Sequence, residues 1–319
     1  MELVALARNP VPSGAIVGAF RGHDGEPMRF ARWEPTRGPR RGTVCCFTGR
    51  SEFIEKYFET VADLRRRGFA VVMMDWRGQG GSYRPLANPR KAYVSDFSEY
   101  DRDLACFMEE VVLPDCPPPY VALAHSMGGH ILLRHASTPS SWFERMVISA
   151  PMLAFHANKV GAYPALVRTY AAAGALLGFG RCYIHGGTDE SGDPNEYQNN
   201  PLSSDRDRFA RNRALIDAAP HLLTGSPTIG WLDAAFRSMR MLNVPSYAHR
   251  VSVPLLILVA GKDTIVESRA TEDFAARLKI GTHVTFPTAR HEILQESDQI
   301  RGRFWAAFDA YLGVEPAVA

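Results

Sequence analysis

Short, fully apolar runs alternate along the chain with longer stretches whose apolar residues recur every three or four positions. Thr43 to Phe47, Phe69 to Met74, Tyr120 to Ala124, Met146 to Ser149, Leu255 to Val259 and His283 to Phe286 read as strands. Ile54, Tyr57, Phe58, Val61 and Leu64 share a helical face, and Gly68 stops that helix. Phe97, Tyr100, Leu104, Phe107 and Val111 form a second stripe, ended by Pro114 and Pro117 to Pro119. Phe304, Phe308 and Leu312 mark a C-terminal helix. Ahead of all these, Ala15 to Phe20 and Met28 to Trp33 alternate around His23-Asp24-Gly25-Glu26, an antiparallel pair with a turn. Apolar strands interleaved with amphipathic helices imply a mostly parallel sheet covered on both faces.

One region breaks the alternation. Between Met152 and about His249 the pattern predicts no strand. It holds an apolar helical segment (Tyr163 to Phe179), a polar loop (His185 to Ser204) and helix-like pieces at Asp205 to Ala219 and Thr228 to Met241. The expected organisation is a core of residues 1–151 and 252–319 with a helical cap, 152–251, inserted above the strand ends.

Composition narrows the class. With 319 residues, 46% hydrophobic and 22% charged, the chain can build one large domain with an insertion. A net charge of +2 argues against nucleic-acid binding. The five cysteines show no CxxC spacing, and Cys45 and Cys46 sit in an apolar run, so buried thiols are expected. Met1 to Pro12 has no signal-peptide character, and no run approaches the roughly 20 apolar residues of a membrane span. The expectation is a soluble protein of a reducing compartment, cytoplasmic or peripheral at the inner membrane face.

The chemistry centres on Tyr120 to His130. An apolar strand meets Ser126, then Gly128 and Gly129, then a helix: the form of a nucleophile elbow. The residues two before and two after the serine must be small, and they are Ala124 and Gly128. A serine nucleophile needs a base and an acid, in the chain order serine, acid, histidine. Asp263 follows the strand Leu255 to Val259 and a Gly turn. His291 follows the last strand. Each of the three lies just past the C-terminal end of a predicted strand, where open α/β sheets carry their sites. Asp263 also reads as a turn former, and Glu267 and Glu292 are rival acids in less fitting positions. His125 neighbours the serine but is expected to point away, and His130 lies within the helix. The oxyanion donors are expected at the backbone N–H groups of Met127 and Arg50, with Ser51 as the second choice. The Arg50 side chain is expected to be a surface charge.

These motifs resemble the α/β-hydrolase group of monoacylglycerol lipases and bacterial lysophospholipases. The likeness spans nearly the whole chain outside the cap. Thr48-Gly49-Arg50-Ser51-Glu52-Phe53-Ile54-Glu55-Lys56-Tyr57 resembles the oxyanion loop of the lysophospholipase branch. Asp75-Trp76-Arg77-Gly78-Gln79-Gly80-Gly81-Ser82 resembles the family's structural D-x-R-G-x-G-x-S loop. Ala124 to Gly129 resembles the elbow, with alanine where glycine is usual. Arg290-His291-Glu292-Ile293-Leu294 resembles the catalytic-histidine segment, and Leu202-Ser203-Ser204-Asp205 is also similar to that branch. The resemblance implies an α/β-hydrolase fold and a serine hydrolase of carboxylic esters, with an acyl ester or lysolipid as substrate.

No metal or organic cofactor is expected, and no HExxH-like spacing is present. The segment Ala162 to Phe179, with Arg168 its one charge before Arg181, suits an acyl chain, a lipid surface or simple packing on the core. Arg181, Arg206, Arg208, Arg211 and Arg213 read as a solvated basic face, or as contacts to a phosphate head group. Small-ester, lactone and C–C bond hydrolases share the scaffold and remain alternatives. So does a non-catalytic binding protein, although such proteins typically lack a member of the triad.

Overall fold

A computed structural model describes residues 2–36, 40–161, 163–190 and 196–314. Ala162, at the head of the apolar segment, and residues 191–195 of the polar loop lie outside the described residues. The eight strands are β1 (Ile16–Arg21), β2 (Pro27–Trp33), β3 (Thr43–Phe47), β4 (Ala70–Met74), β5 (Tyr120–His125), β6 (Arg145–Ser149), β7 (Leu255–Ala260) and β8 (Gly281–Phe286). They form one sheet in the order β1-β2-β4-β3-β5-β6-β7-β8. β2 is antiparallel to both of its neighbours, and every pair from β4 to β8 is parallel. β3, β4 and β7 are buried along their whole length because helices cover both faces, which is why they read as continuous apolar runs.

The helices are α1 (Phe58–Arg66), α2 (Ser98–Phe107), α3 (Leu113–Asp115), α4 (Ser126–His135), α5 (Ala157–Val160), α6 (Pro164–Leu176), α7 (Arg206–Ala218), α8 (Ile229–Leu242), α9 (Ser268–Ala275) and α10 (Asp298–Leu312). The second apolar stripe does not stay α-helical. After Phe107 it widens into one π turn, Met108–Val112, before α3 and the prolines end it. α5 to α8 lie between β6 and β7 and add no strand to the sheet.

Buried ion pairs bolt the loops of the core together. Arg29 Nε lies 2.6 Å from Asp75 Oδ2, and its Nη1 lies 2.8 Å from Glu55 Oε1. Arg77 pairs with Asp103 and Asp24. The helical insertion is fastened in the same way. Arg208 and Arg211 of α7 both reach Glu59 on α1, at 2.5 and 2.7 Å, and Arg208 also bonds Asp298. These two arginines are therefore neither a solvated face nor a head-group clamp, because acids of the core already hold them. Glu59 and Asp298 lie far from them in sequence, out of reach of any local pattern.

Candidate active site

The elbow is built by close packing. His125 is extended, with φ −122° and ψ 139°, and Ser126 opens α4 with a left-handed φ of 50°. A non-glycine residue in that region costs about 1–3 kcal/mol and persists only where its surroundings fix it. The glycines after it allow that fixing. A Cβ on Gly128 would stand 2.6 Å from the Thr48 carbonyl oxygen, and one on Gly129 would stand 2.5 Å from Ile148 Cγ2. With glycine there, α4 sits directly on the ends of β3 and β6.

Three predicted side chains meet at the C-terminal edge of the sheet. Ser126 Oγ lies 3.0 Å from His291 Nε2, and His291 Nδ1 lies 2.6 Å from Asp263 Oδ2. The other carboxylate oxygen of Asp263 accepts from the N–H groups of Ile265 and Val266, at 2.7 and 3.0 Å. An ionised carboxylate only accepts, so Nδ1 carries the imidazole proton and Nε2 is left to accept from the serine hydroxyl. All three residues are buried. Burial works against a charged His291, but the Asp263 carboxylate and its hydrogen bond outweigh it and raise the imidazole above its ordinary 6.5. Burial pushes Asp263 up, and His291 more than offsets it, so the carboxyl ends below its usual 3.8. The partner of His291 Nδ1 is Asp263, and the rival Glu292 is bonded to Lys56 instead.

These groups open into a cavity of about 520 Å³. Most of its wall is apolar, with Met152, Phe155, Val167, Trp231 and Ile265 among the lining residues. Charged side chains line it as well, beside the catalytic groups. Lys56 Nζ lies 2.9 Å from Glu52 Oε1 and 2.6 Å from Glu292 Oε1. Burial alone would raise Glu52, but Lys56, His125 and the hydrogen bonds it accepts bring it down to about 2. Glu52, His125 and Glu292 are also the one group of potential metal ligands among the described residues, their ligand atoms within 4.8 Å of one another. The Lys56 ammonium already bridges the two carboxylates, so this donor set has its cation.

Some positions differ from the sequence reading. His125 does not turn away: its ring stands 4.7 Å from the His291 ring and lines the cavity. Burial lowers it to about 4, so it is neutral. The Arg50 side chain is not a surface charge. Its guanidinium donates to the Gly225 carbonyl at 2.7 Å and stands 5.1 Å over the Trp231 ring. The Ser51 N–H, the second-choice oxyanion donor, is taken by Gln79 Oε1 at 3.2 Å. Met127 lies in the first turn of α4, where N–H groups lack intrahelical partners. Gly49 and Arg50 line the cavity beside Ser126.

His130, read only as a helix residue, links three elements. Its Nδ1 bonds the Met152 carbonyl at 2.7 Å and its Nε2 bonds Ser238 Oγ on α8 at 2.6 Å. The Met152 N–H in turn donates to the Ser126 carbonyl. No sequence signal marks Ser238, Thr224 or Trp231. Each matters through a partner more than 100 residues away.

Comparison with known proteins agrees with this architecture. The model of the family described as Hydrolase_4, serine aminopeptidase, S33, matches residues 38–298. Lysophospholipase L2 of Escherichia coli K12 is 29% identical over 295 residues, covering 88% of this chain and 83% of that protein. A monoacylglycerol lipase of Mycolicibacterium smegmatis is 25% identical, covering 88% and 91%. Among solved structures, a soluble variant of monoglyceride lipase from Saccharomyces cerevisiae, in complex with a substrate analog, superposes with a TM-score of 0.75. It is 20% identical and covers 95% of this chain and 97% of that one. The eight-stranded sheet with its helices is the α/β-hydrolase fold.

Proposed function

We propose that this chain, which belongs to the Hydrolase_4 (serine aminopeptidase, S33) family, is a serine hydrolase of carboxylic esters of the lysophospholipase or monoacylglycerol lipase type. The observation that carries the reading is the hydrogen-bonded line Ser126–His291–Asp263 opening into a largely apolar cavity. The names of the similar proteins point the same way.

In this reading His291 takes the Ser126 proton through Nε2, and Asp263 stabilises the imidazolium. Ser126 attacks the ester carbonyl. The N–H groups of Met127 and Arg50 hold the oxyanion. His291 then protonates the leaving alcohol and activates water to release the acid. The apolar wall takes the acyl chain, and the Glu52–Lys56–Glu292 cluster faces the polar head. No helix among the described residues is long and apolar enough to cross a membrane. The exposed Tyr163, Leu166, Leu176, Leu177 and Phe179, on and beside α6, are proposed to rest on the lipid surface that supplies the substrate.

The test is hydrolysis of p-nitrophenyl esters of graded chain length, then of lysophospholipids and monoacylglycerols, with Ser126→Ala alongside. The reading expects a medium- or long-chain optimum and loss in the variant. A short-chain optimum selects a small-ester enzyme. No ester hydrolysis by a folded protein rejects the reading.

A further inference from the structure

The oxyanion loop carries its own strain, and the helical insertion holds it. Ser51 has a φ of 62°, in the left-handed region that a serine rarely takes. It directly follows Arg50, whose N–H is a proposed oxyanion donor. A residue kept there needs fixed partners, and Ser51 has them on two sides. On the core side, its N–H donates to Gln79 Oε1, and Gln79 Nε2 donates to the Gly49 carbonyl at 2.7 Å. On the insertion side, its hydroxyl lies 2.5 Å from Thr224 Oγ1. Arg50 follows the same path: its Nη1 donates to the Ser51 hydroxyl, and its Nη2 donates to the Gly225 carbonyl. Thr224 is fully buried, so a lone hydroxyl there would leave an unpaired polar group.

We propose that Thr224 and Gly225 of the insertion are positioning residues that hold the turn Arg50–Ser51, and with it the oxyanion donor. The inference rests on the ester-hydrolase reading. The seating of the insertion then sets the rate of acyl transfer as well as access to the cavity. The oxyanion contact forms only in the transition state, so loosening the turn lowers kcat and leaves ground-state binding alone.

The experiment is steady-state kinetics of Thr224→Val on a soluble ester. Valine keeps the shape and removes the hydroxyl. The expected result is a kcat about ten- to a hundredfold lower with KM within about twofold, the scale of a misplaced or lost oxyanion donor. Thr224→Ser restores the hydroxyl and the rate. Ser51→Ala removes the same bond from the other side, and the double variant loses no more than the worse single one. Covalent labelling by a fluorophosphonate, which passes through the same oxyanion, slows in parallel. An unchanged kcat, or a loss confined to KM, overturns the proposal. If Thr224→Val does not fold, Ser51→Ala decides by the same criteria. A wild-type protein that cleaves no ester rejects the underlying reading, which is a separate outcome.

Discussion

Helices α4 and α6 are both apolar, and they end in opposite places. In α4 every residue except Arg134 is buried, although it carries His130, Arg134 and His135. In α6 only Ala171 is buried, although Arg168 is its single charge. Leu176 is 88% exposed, and Leu177 just after it is 71% exposed. The difference is position. α4 follows β5 directly, so the sheet and its neighbours close over it. α6 lies in the insertion between β6 and β7 and packs on α8 and its neighbours. Its inner side lends Val167 and Tyr170 to the cavity wall, and its outer leucines meet solvent. Burying one such leucine is worth about 1.5–3 kcal/mol, a gain this helix leaves unused in water. Apolar composition therefore marks a surface that wants covering; the topology decides whether the protein itself covers it.

The comparison can be broken first at the start of α4. Ser126→Ala should lower ester hydrolysis by about three to six orders of magnitude with the melting temperature little changed. Activity within tenfold of wild type would remove Ser126 from the chemistry. The second effect is in pH. His291 must be neutral to accept a proton, and its pKa lies above 6.5, so kcat/KM should rise with pH through a midpoint above 6.5. Stability moves oppositely. The imidazolium–Asp263 pair contributes fully below the unfolded histidine pKa, and that contribution is lost as pH rises through the folded one. Asp263→Asn should abolish the raised midpoint, while vesicle binding through α6, which carries no histidine, should stay flat across the same range. A midpoint below 6.5 in the wild type would contradict the buried pair.

Smaller effects separate packing from exposure. Gly128→Val forces a side chain against the Thr48 and Phe47 carbonyls and should cost at least about 1–3 kcal/mol in chemical denaturation. Leu166→Ser and Leu176→Ser on α6 should each change stability by less than about 0.5 kcal/mol. Combined, they should weaken co-sedimentation with phospholipid vesicles and slow hydrolysis of aggregated substrate, with a soluble short-chain ester unaffected. Unaltered vesicle binding would rule out the proposed lipid contact.

Much of the molecule was legible before any coordinates. The strands announced themselves because two buried faces demand continuous apolar runs. The elbow was legible because a strand-to-helix reversal tolerates only small residues beside the serine. Ser126, Asp263 and His291 stood out because strand ends in such a sheet all point to one edge, and the structure brings their side chains within hydrogen-bonding distance. What the sequence by itself determined is thus whatever depends on neighbours along the chain: periodicity, turns and the order of groups past strand ends. Only the tertiary structure decided the rest. It turned His125 into the cavity, tied α7 to Glu59 through arginines that looked solvated, exposed α6, and set Thr224 against Ser51 across 173 residues. A side chain's environment is the sum of whatever the fold packs beside it, and no local pattern carries that sum.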